Sequence, residues 1–149
     1  MRIDIERILI ELQTLPKYDE QIALQGVAGD NDHMYGTGWH KGLKHVEEDF
    51  TEALFDMPYT NSVIELLGMT RTRVMHLEQK TCYSYHKDHT KRIHIPLISN
   101  EYCFMIIDDE IIRYPADGSY YVMDTTKMHT AVNASYEDRM HLVGCISDI

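Results

Sequence analysis

The chain has 149 residues, of which 44% are hydrophobic, and 24 acidic against 14 basic residues give a formal net charge of -10. This size and composition fit one compact domain spanning residues 1–149, whereas the acidic balance argues against nucleic acid as a partner. No apolar run approaches the roughly 18 residues of a membrane helix, and the first residues lack the features of a secretory signal, so no membrane partner is expected.

The first section, residues 1–72, is predicted to be helical and irregular. A first helix is indicated by apolar residues at helical spacing, and Pro16 closes it. A capping-box pattern at Ser62–Glu65 indicates a second helix, which Gly68 is placed to end. The apolar positions of the first helix are Ile5, Ile8, Leu9 and Leu12.

Residues 25–42 hold five glycines among mixed polar residues, a composition typical of a loop. Substrate selectivity in enzymes often lies in such loops. This segment is therefore a candidate lid, with Tyr35, Trp39 and His40 as possible substrate contacts. An ordinary surface loop is an equally open interpretation.

From residue 73 onward, short extended runs rich in Ile, Val, Tyr and Met alternate with turn residues. Asp108-Asp109 is predicted to form a hairpin turn, and Pro115 to Gly118 a second turn. About eight strands after a helical section predict a mainly β protein, with a jelly-roll or related barrel as its core and the N-terminal helices packed on it. The predicted strands are residues 73–78, 82–86, 92–98, 102–107, 110–114, 119–123, 128–133 and 139–146.

His86-Lys87-Asp88, with His129 further along the chain, has the composition of a 2-His-1-carboxylate facial triad, which holds non-haem Fe(II) and leaves coordination positions open. On an extended strand, side chains at i and i+2 point to the same face, so His86 and Asp88 can converge on one ion. His129 would then come from another strand of the same sheet. His89 would point elsewhere and is predicted to lie outside the ligand set.

Two further predicted strands carry polar residues on one face. Arg92 and His94 alternate with apolar residues, and so do Arg139 and His141. These polar faces could meet water, as in most antiparallel sheets. Alternatively, the barrel interior is polar because it holds an ion and a dicarboxylate, while the N-terminal helices cover the apolar faces. A buried arginine would need an anionic partner, which a bound carboxylate supplies.

These motifs together resemble the aspartyl/asparaginyl β-hydroxylase family, which includes the free-proline hydroxylases. The resemblance covers about residues 73–146 and rests on four segments. They are Tyr85-His86-Lys87-Asp88, Arg92-Ile93-His94-Ile95-Pro96-Leu97, His129-Thr130-Ala131-Val132-Asn133-Ala134-Ser135 and Arg139-Met140-His141-Leu142-Val143.

The resemblance implies a double-stranded β-helix core and an Fe(II)- and 2-oxoglutarate-dependent dioxygenase that uses O2. His86, Asp88 and His129 would bind the iron, and Arg139 would form the salt bridge to the distal carboxylate of 2-oxoglutarate. Arg92 and His94 would help to bind this co-substrate. Asn133 and Ser135 would hold the turn between the last two strands.

The substrate is expected to be an amino acid or an exposed protein side chain of the Asp, Asn or Pro type, because the chain has little room for a separate peptide-binding domain. Three widely spaced cysteines, Cys82, Cys103 and Cys145, suggest reduced thiols and a cytoplasmic setting.

Two other classes of function stay open at this stage. A cupin-like metal protein without oxygenase activity, such as an isomerase or a small-molecule sensor, would use the same His and Asp cluster. It would not need Arg139 to face the metal. An inert interaction module would bind no metal, and its His86 and His129 would lie far apart.

Overall fold

The computed structural model describes residues 1–38 and 44–146, which form two short helices and eleven β-strands. A 3-10 turn spans Glu47–Asp49. The helices are α1 (Ile5–Leu12) and α2 (Pro58–Leu66). The strands are β1 (Gln21–Ala23), β2 (Gln25–Gly26), β3 (Glu52–Ala53), β4 (Thr70–Leu77), β5 (Thr81–Cys82), β6 (Lys91–Ile98), β7 (Cys103–Ile107), β8 (Glu110–Ile112), β9 (Tyr121–Met123), β10 (His129–Asn133) and β11 (Arg139–Ile146).

The strands form a five-stranded antiparallel sheet of order β1-β4-β11-β6-β9 and a four-stranded one of order β5-β10-β7-β8, while β2 and β3 form a separate ribbon. From β4 onward, successive strands mostly alternate between the two larger sheets. Leu77 and Met123 of the larger sheet pack against Met105, Ile107 and Ala131 of the smaller one. The fold is therefore a double-stranded β-helix, as the sequence predicts.

The outer face of the larger sheet is covered by the N-terminal helices. Ile93 and Ile95 of β6 and Leu142 of β11 belong to one core cluster with Ile8 of α1 and Ile64 of α2. Because neighbouring residues on a strand face opposite sides, the polar residues of the same strands point into the barrel. The interpretation that these polar faces meet water is therefore wrong: Arg92, His94, Arg139 and His141 are all buried.

Helix α1 has the predicted position, but α2 begins four residues before the predicted capping box. Ser62 lies inside the helix, where its hydroxyl donates to the Tyr59 carbonyl oxygen at 2.6 Å. The start is instead marked by Pro58, whose fixed φ and missing N–H suit the first helical turn. Gly68, with φ of +65°, ends the helix as predicted.

The N–H groups in the first turn of α2, which have no partner within the helix, have one on α1. The Glu11 carboxylate accepts hydrogen bonds from the backbone of Tyr59 at 3.0 Å and of Thr60 at 2.7 Å. A carboxylate also favours the positive end of the helix dipole. This contact fixes the two helices to each other over the sheet.

The largest differences between the predicted strands and the structure lie in two places, and elsewhere the strand bounds differ by up to three residues. The predicted strand 82–86 is reduced to β5, after which His86 forms an isolated β-bridge opposite His129. The first section also supplies β1, β2 and β3, which its composition does not indicate. Their conformation depends on tertiary pairing, such as that of Ala23 with Arg73, and not on local propensity.

Both predicted turns are present. Asp108 and Asp109 have φ of +50° and +66° and connect β7 to β8, as a two-residue hairpin requires. In the second turn, Asp117 accepts a hydrogen bond from the Ser119 N–H and Gly118 has φ of +87°. Aspartate and glycine thus form tight turns at the positions where the sequence predicts them.

Among the described residues, no helix is both long enough and apolar enough to cross a lipid bilayer. The cysteines are free thiols: Cys82 is exposed, and Cys103 and Cys145 are buried.

Candidate functional site

His86, Asp88 and His129 form a compact cluster whose candidate ligand atoms all lie within 4.8 Å of one another. The Nε2 atom of His86 is 3.5 Å from one Asp88 carboxylate oxygen, and Nε2 of His129 is 3.2 Å from the other. The two imidazole centroids are 4.4 Å apart. An inert module with distant histidines is therefore contradicted.

Backbone hydrogen bonds position the three side chains. The His86 N–H donates to the His129 carbonyl oxygen at 3.0 Å, and the His129 N–H donates back at 2.9 Å. The Asp88 N–H donates to the Thr125 carbonyl oxygen at 2.8 Å. The segment that carries His86 and Asp88 is thus fixed against β10 and the turn before it, although it is not a continuous strand.

Both histidines are oriented by their second ring nitrogen. Nδ1 of His86 lies 2.6 Å from the Ser84 carbonyl oxygen, and Nδ1 of His129 lies 2.8 Å from the Lys127 carbonyl oxygen. A carbonyl oxygen only accepts, so each Nδ1 carries a proton. The Nε2 atoms are left to face Asp88, as is usual for metal-binding histidines.

The charge state of the cluster also suits a cation. Burial opposes ionisation of Asp88, but a hydrogen bond from His129 and the charge of Arg92 lower its pKa to about 2. Burial acts against the charged form of His129 too, yet the Asp88 carboxylate raises the pKa of this imidazole, and a metal ion at Nε2 would replace the proton that the carboxylate attracts. Two nitrogens and one carboxylate are a donor set for a divalent transition metal. These residues therefore fit Fe(II).

A cavity of about 550 Å³ opens beside the cluster, and Arg139 lines it together with all three candidate ligands. Arg139 is only 3% exposed. Within residues 1–38 and 44–146 its guanidinium makes no hydrogen bond or ion pair, and Nε is buried without a partner. Burial lowers the pKa of Arg139. A buried cation without a protein partner indicates a site for an anionic ligand.

Arg92 also lines this cavity but is already engaged. Its guanidinium lies 2.9 Å from the Glu47 carboxylate and 3.5 Å from that of Asp88. Glu47 also contacts Arg71 at 2.6 Å. Burial raises the pKa of Glu47, but Arg92, a Cys145 hydrogen bond and Arg71 together lower it to about 2. The geometry makes Arg92 a support for the Asp88 carboxylate.

His94 and His141 face each other across β6 and β11, with 2.9 Å between their Nδ1 atoms. Burial, reinforced by nearby Arg139, lowers the pKa of both imidazoles well below the ordinary value. Both are therefore neutral at pH 7, and one Nδ1–H donates to the other Nδ1. His94 lines the cavity, whereas Nε2 of His141 is buried without a partner in the described chain.

Sequence reasoning missed three charged residues that line the cavity. Arg71 and Arg73 lie on β4, and Glu47 precedes the sheets. The alternation Thr70-Arg71-Thr72-Arg73 repeats the pattern of Arg92 and His94, so it could have indicated an inward polar face. Glu47 begins an ordinary acidic run, and nothing in its local sequence distinguishes it.

Asn133 and Ser135 have the structural position expected of them. The Asn133 amide donates to the Leu77 carbonyl oxygen at 3.0 Å and to that of Glu137 at 2.7 Å. Its own oxygen accepts from the Ser135 N–H at 3.0 Å. These bonds close the turn between β10 and β11 and set the position of Arg139.

The glycine-rich segment meets the cavity at one described residue. Gly38 lines it, and the Gly36 and Gly38 carbonyl oxygens accept hydrogen bonds from Arg71 at 2.7 and 2.8 Å. Tyr35 instead donates to or accepts from Nδ1 of His45 at 2.8 Å and is absent from the cavity lining. The other two proposed lid contacts, Trp39 and His40, lie outside the described residues.

His89 also lines the cavity and is exposed. It is not among the three clustered ligand groups, in line with its exclusion from the predicted set.

Residues 3–147 match a family model described as aspartyl/asparaginyl beta-hydroxylase. No curated protein matches the chain. Similar solved structures include a cupin domain from Bordetella pertussis (10% identity, covering 52% of this chain and 81% of that one, TM-score 0.45). A predicted oxalate decarboxylase from Thermotoga maritima is 17% identical. The match covers 57% of this chain and 74% of that one, with a TM-score of 0.45.

A third similar structure is a Photorhabdus luminescens protein, 17% identical, with 48% of this chain covered and a TM-score of 0.42. The matched region spans 57% of that protein, which is less than two thirds of its length. At such low identity these likenesses concern the fold alone.

Proposed function

The chain belongs to the aspartyl/asparaginyl β-hydroxylase family, and on that premise we propose that it is an Fe(II)- and 2-oxoglutarate-dependent dioxygenase. The substrate would be an amino acid or an amino-acid side chain, which is hydroxylated while 2-oxoglutarate and O2 give succinate and CO2. The observation that carries the proposal is the joint position of two features. A His-Asp-His cluster and a buried arginine without a protein partner line the same cavity.

In this proposal His86, Asp88 and His129 hold the iron. When bound, the metal supplies the oxidative chemistry, and the protein supplies orientation and exclusion of side reactions. Asp88 contributes a carboxylate that stays ionised at neutral pH, since its pKa is about 2. The two Nε2 atoms are directed at the ion because the Nδ1 protons are engaged by carbonyl oxygens.

Arg139 would bind the distal carboxylate of 2-oxoglutarate. A guanidinium presents a planar fork of donors that matches a carboxylate in bidentate geometry. Its burial excludes water, which strengthens such a contact and also orients the co-substrate relative to the cluster. This salt bridge would give the Arg139 guanidinium an anionic partner, which the described part of the chain does not supply.

Arg92 and His94 remain proposed contributors to co-substrate binding. Arg92 lies between Glu47 and Asp88, so its share would be to hold Asp88 in place and add positive charge near the bound anion. His94 is neutral, and its Nδ1 is paired with His141. It would therefore offer Nε2 to the cavity as a neutral hydrogen-bonding group.

A cupin-like metal protein without oxygenase activity would also use the His-Asp-His cluster, but would leave the buried, unpaired Arg139 without a function. We therefore favour the dioxygenase. Free thiols at Cys82, Cys103 and Cys145 support a cytoplasmic setting for it.

The test is an anaerobic titration of the Fe(II)-loaded protein with 2-oxoglutarate, followed by absorption spectroscopy. We expect the weak visible charge-transfer band of a chelated keto acid. Absence of that band in folded, iron-loaded protein would refute the dioxygenase. Succinate formation in air, measured against a panel of free amino acids and peptides, then identifies the substrate.

A further inference from the structure

Among the described residues, four arginines and the exposed Lys87 line the cavity, but only two carboxylates do. Arg71 and Arg92 share Glu47, and Arg92 also contacts Asp88. That leaves Arg139 and Arg73 without an acid from the described part of the chain. The proposed function assigns Arg139 to 2-oxoglutarate, whereas it gives Arg73 no function.

Arg73 is buried in the middle of the larger sheet. It lies on β4 between Ala23 of β1 and Val143 of β11, and it is 4% exposed. The one hydrogen bond that its side chain makes in the described structure is a long one, 3.4 Å from Nη1 to the side-chain oxygen of Gln21. Its Nε has no partner.

The guanidinium of Arg73 stays charged in this position. Burial, together with the charges of Arg71 and Arg92, lowers its pKa to about 9, which still leaves it a cation at neutral pH. Removing a charge from water without pairing it is strongly unfavourable. The neighbouring Arg71 shows the usual solution, a carboxylate at 2.6 Å.

The proposed iron and co-substrate do not remove this excess charge. A divalent cation and a doubly charged 2-oxoglutarate cancel each other, so the four arginines still exceed the two acids by two charges. The chain as a whole carries -10. The positive charge is therefore a local feature of the cavity in an otherwise acidic protein, and it favours a ligand that places a further anionic group, such as a carboxylate, beside the unpaired arginine.

We propose that Arg73 binds the carboxylate of the substrate, and that the substrate is a small free carboxylic acid such as an amino acid. This inference rests on the proposed function. The cavity of about 550 Å³ is within the range of small-molecule sites. Because Arg73 is almost fully buried, a carboxylate on a protein side chain would have to bring its polypeptide backbone inside the barrel. A free acid reaches it without that requirement.

The first experiment measures succinate formation with the free L-amino acids, with their carboxamides and with a set of peptides, using wild type and Arg73→Gln. We expect stimulation by one or more acids, little by the matching amides, and a loss on the order of 10- to 100-fold in the apparent affinity of Arg73→Gln for the acid. Stimulation by peptides alone, by none of the acids, or equally by acid and amide would overturn the proposal.

Calorimetric binding of 2-oxoglutarate to the Mn(II)-loaded protein separates this inference from the proposed function. If wild type does not bind 2-oxoglutarate, the dioxygenase itself is wrong. If wild type binds and Arg73→Gln loses binding as strongly as Arg139→Gln, then Arg73 belongs to the co-substrate site and the proposal fails. We expect Arg73→Gln to keep its affinity for 2-oxoglutarate.

The third readout is the stability of the metal-free protein in urea. If the function of Arg73 is to bind a ligand, Arg73→Met removes a buried charge that has no acidic partner in the metal-free protein. The urea concentration at the unfolding midpoint is then expected to rise or stay equal. Arg71→Met is the matched control on the same strand; it leaves Glu47 with one cation fewer and is expected to lower the midpoint. A loss in Arg73→Met as large as in Arg71→Met would show a structural role and contradict the proposal.

Discussion

His86 and His129 are joined by two reciprocal backbone hydrogen bonds, although 42 residues separate them in the chain. Residues paired in this way on adjacent strands present their side chains on the same side. The backbone itself therefore sets the distance between the two imidazoles, and Asp88 needs only to follow on the same segment.

The first prediction concerns the ligand set. His129→Ala removes one of three candidate ligands. We expect a loss of more than about 100-fold in Fe(II) affinity, which exceeds the loss caused by changing a residue that only hydrogen-bonds to a ligand. Metal content after dialysis, measured by mass spectrometry, checks it. His89→Ala is the control, because this exposed neighbour lies outside the cluster. Normal iron content in His129→Ala would remove this residue from the set.

The second prediction concerns Arg139. Arg139→Lys keeps the charge but loses the bidentate fork, and Arg139→Ala loses both. We expect 2-oxoglutarate affinity to fall on the order of 10- to 100-fold in the alanine variant and less in the lysine variant, with iron content unchanged. The anaerobic charge-transfer titration measures it. Arg113→Ala is the control, because Arg113 is exposed and follows β8 at the edge of the smaller sheet. Equal affinity in Arg139→Ala would place the clamp elsewhere.

The third prediction is a pH dependence of stability that originates at Glu47. Its folded-state pKa of about 2 is lower than the ordinary 4.5, so its ionised form stabilises the fold. The contribution is complete above pH 4.5 and is lost as the pH falls towards 2. The groups facing Glu47 are Arg71 of β4, Arg92 of β6 and the Cys145 thiol of β11.

Glu47→Gln is therefore expected to be less stable than wild type at pH 7, on the order of a few kcal/mol, and to lose less stability on acidification. Urea unfolding between pH 7 and 3 measures both effects. Glu48→Gln, at the exposed neighbouring position, is expected to behave as wild type. Parallel acid sensitivity in wild type and Glu47→Gln would show that other carboxylates dominate.

The fourth prediction concerns the turn before Arg139. Asn133→Ala removes the bonds to the Leu77 and Glu137 carbonyl oxygens and leaves both acceptors without this donor. We expect the free energy of unfolding to fall by roughly 2–4 kcal/mol. Asn31→Ala, at an exposed position, serves as the reference. A change below about 0.5 kcal/mol in Asn133→Ala would mean that the turn does not depend on this amide.

The sequence by itself determined the β-rich class, helix α1, both tight turns and the motif that carries His86, Asp88, His129 and Arg139. These features are local: strand alternation, turn residues and helical spacing depend on interactions within a few residues. For that reason β11 and the Asp108-Asp109 hairpin were predicted closely. The same strand alternation left two interpretations open for Arg92 and His94.

Only the tertiary structure decided which side of the larger sheet faces the interior, because that depends on what packs against it. Helices α1 and α2 cover the apolar face, so the arginines and histidines line the cavity. The pairing of Glu47 with Arg71 and Arg92, and the isolation of Arg73, likewise depend on contacts between segments distant in sequence. Whether a buried charge has a partner depends on which segments the fold brings together, so the sequence alone does not reveal it. This difference separates the arginines that are paired with an acid from those available to bind a ligand.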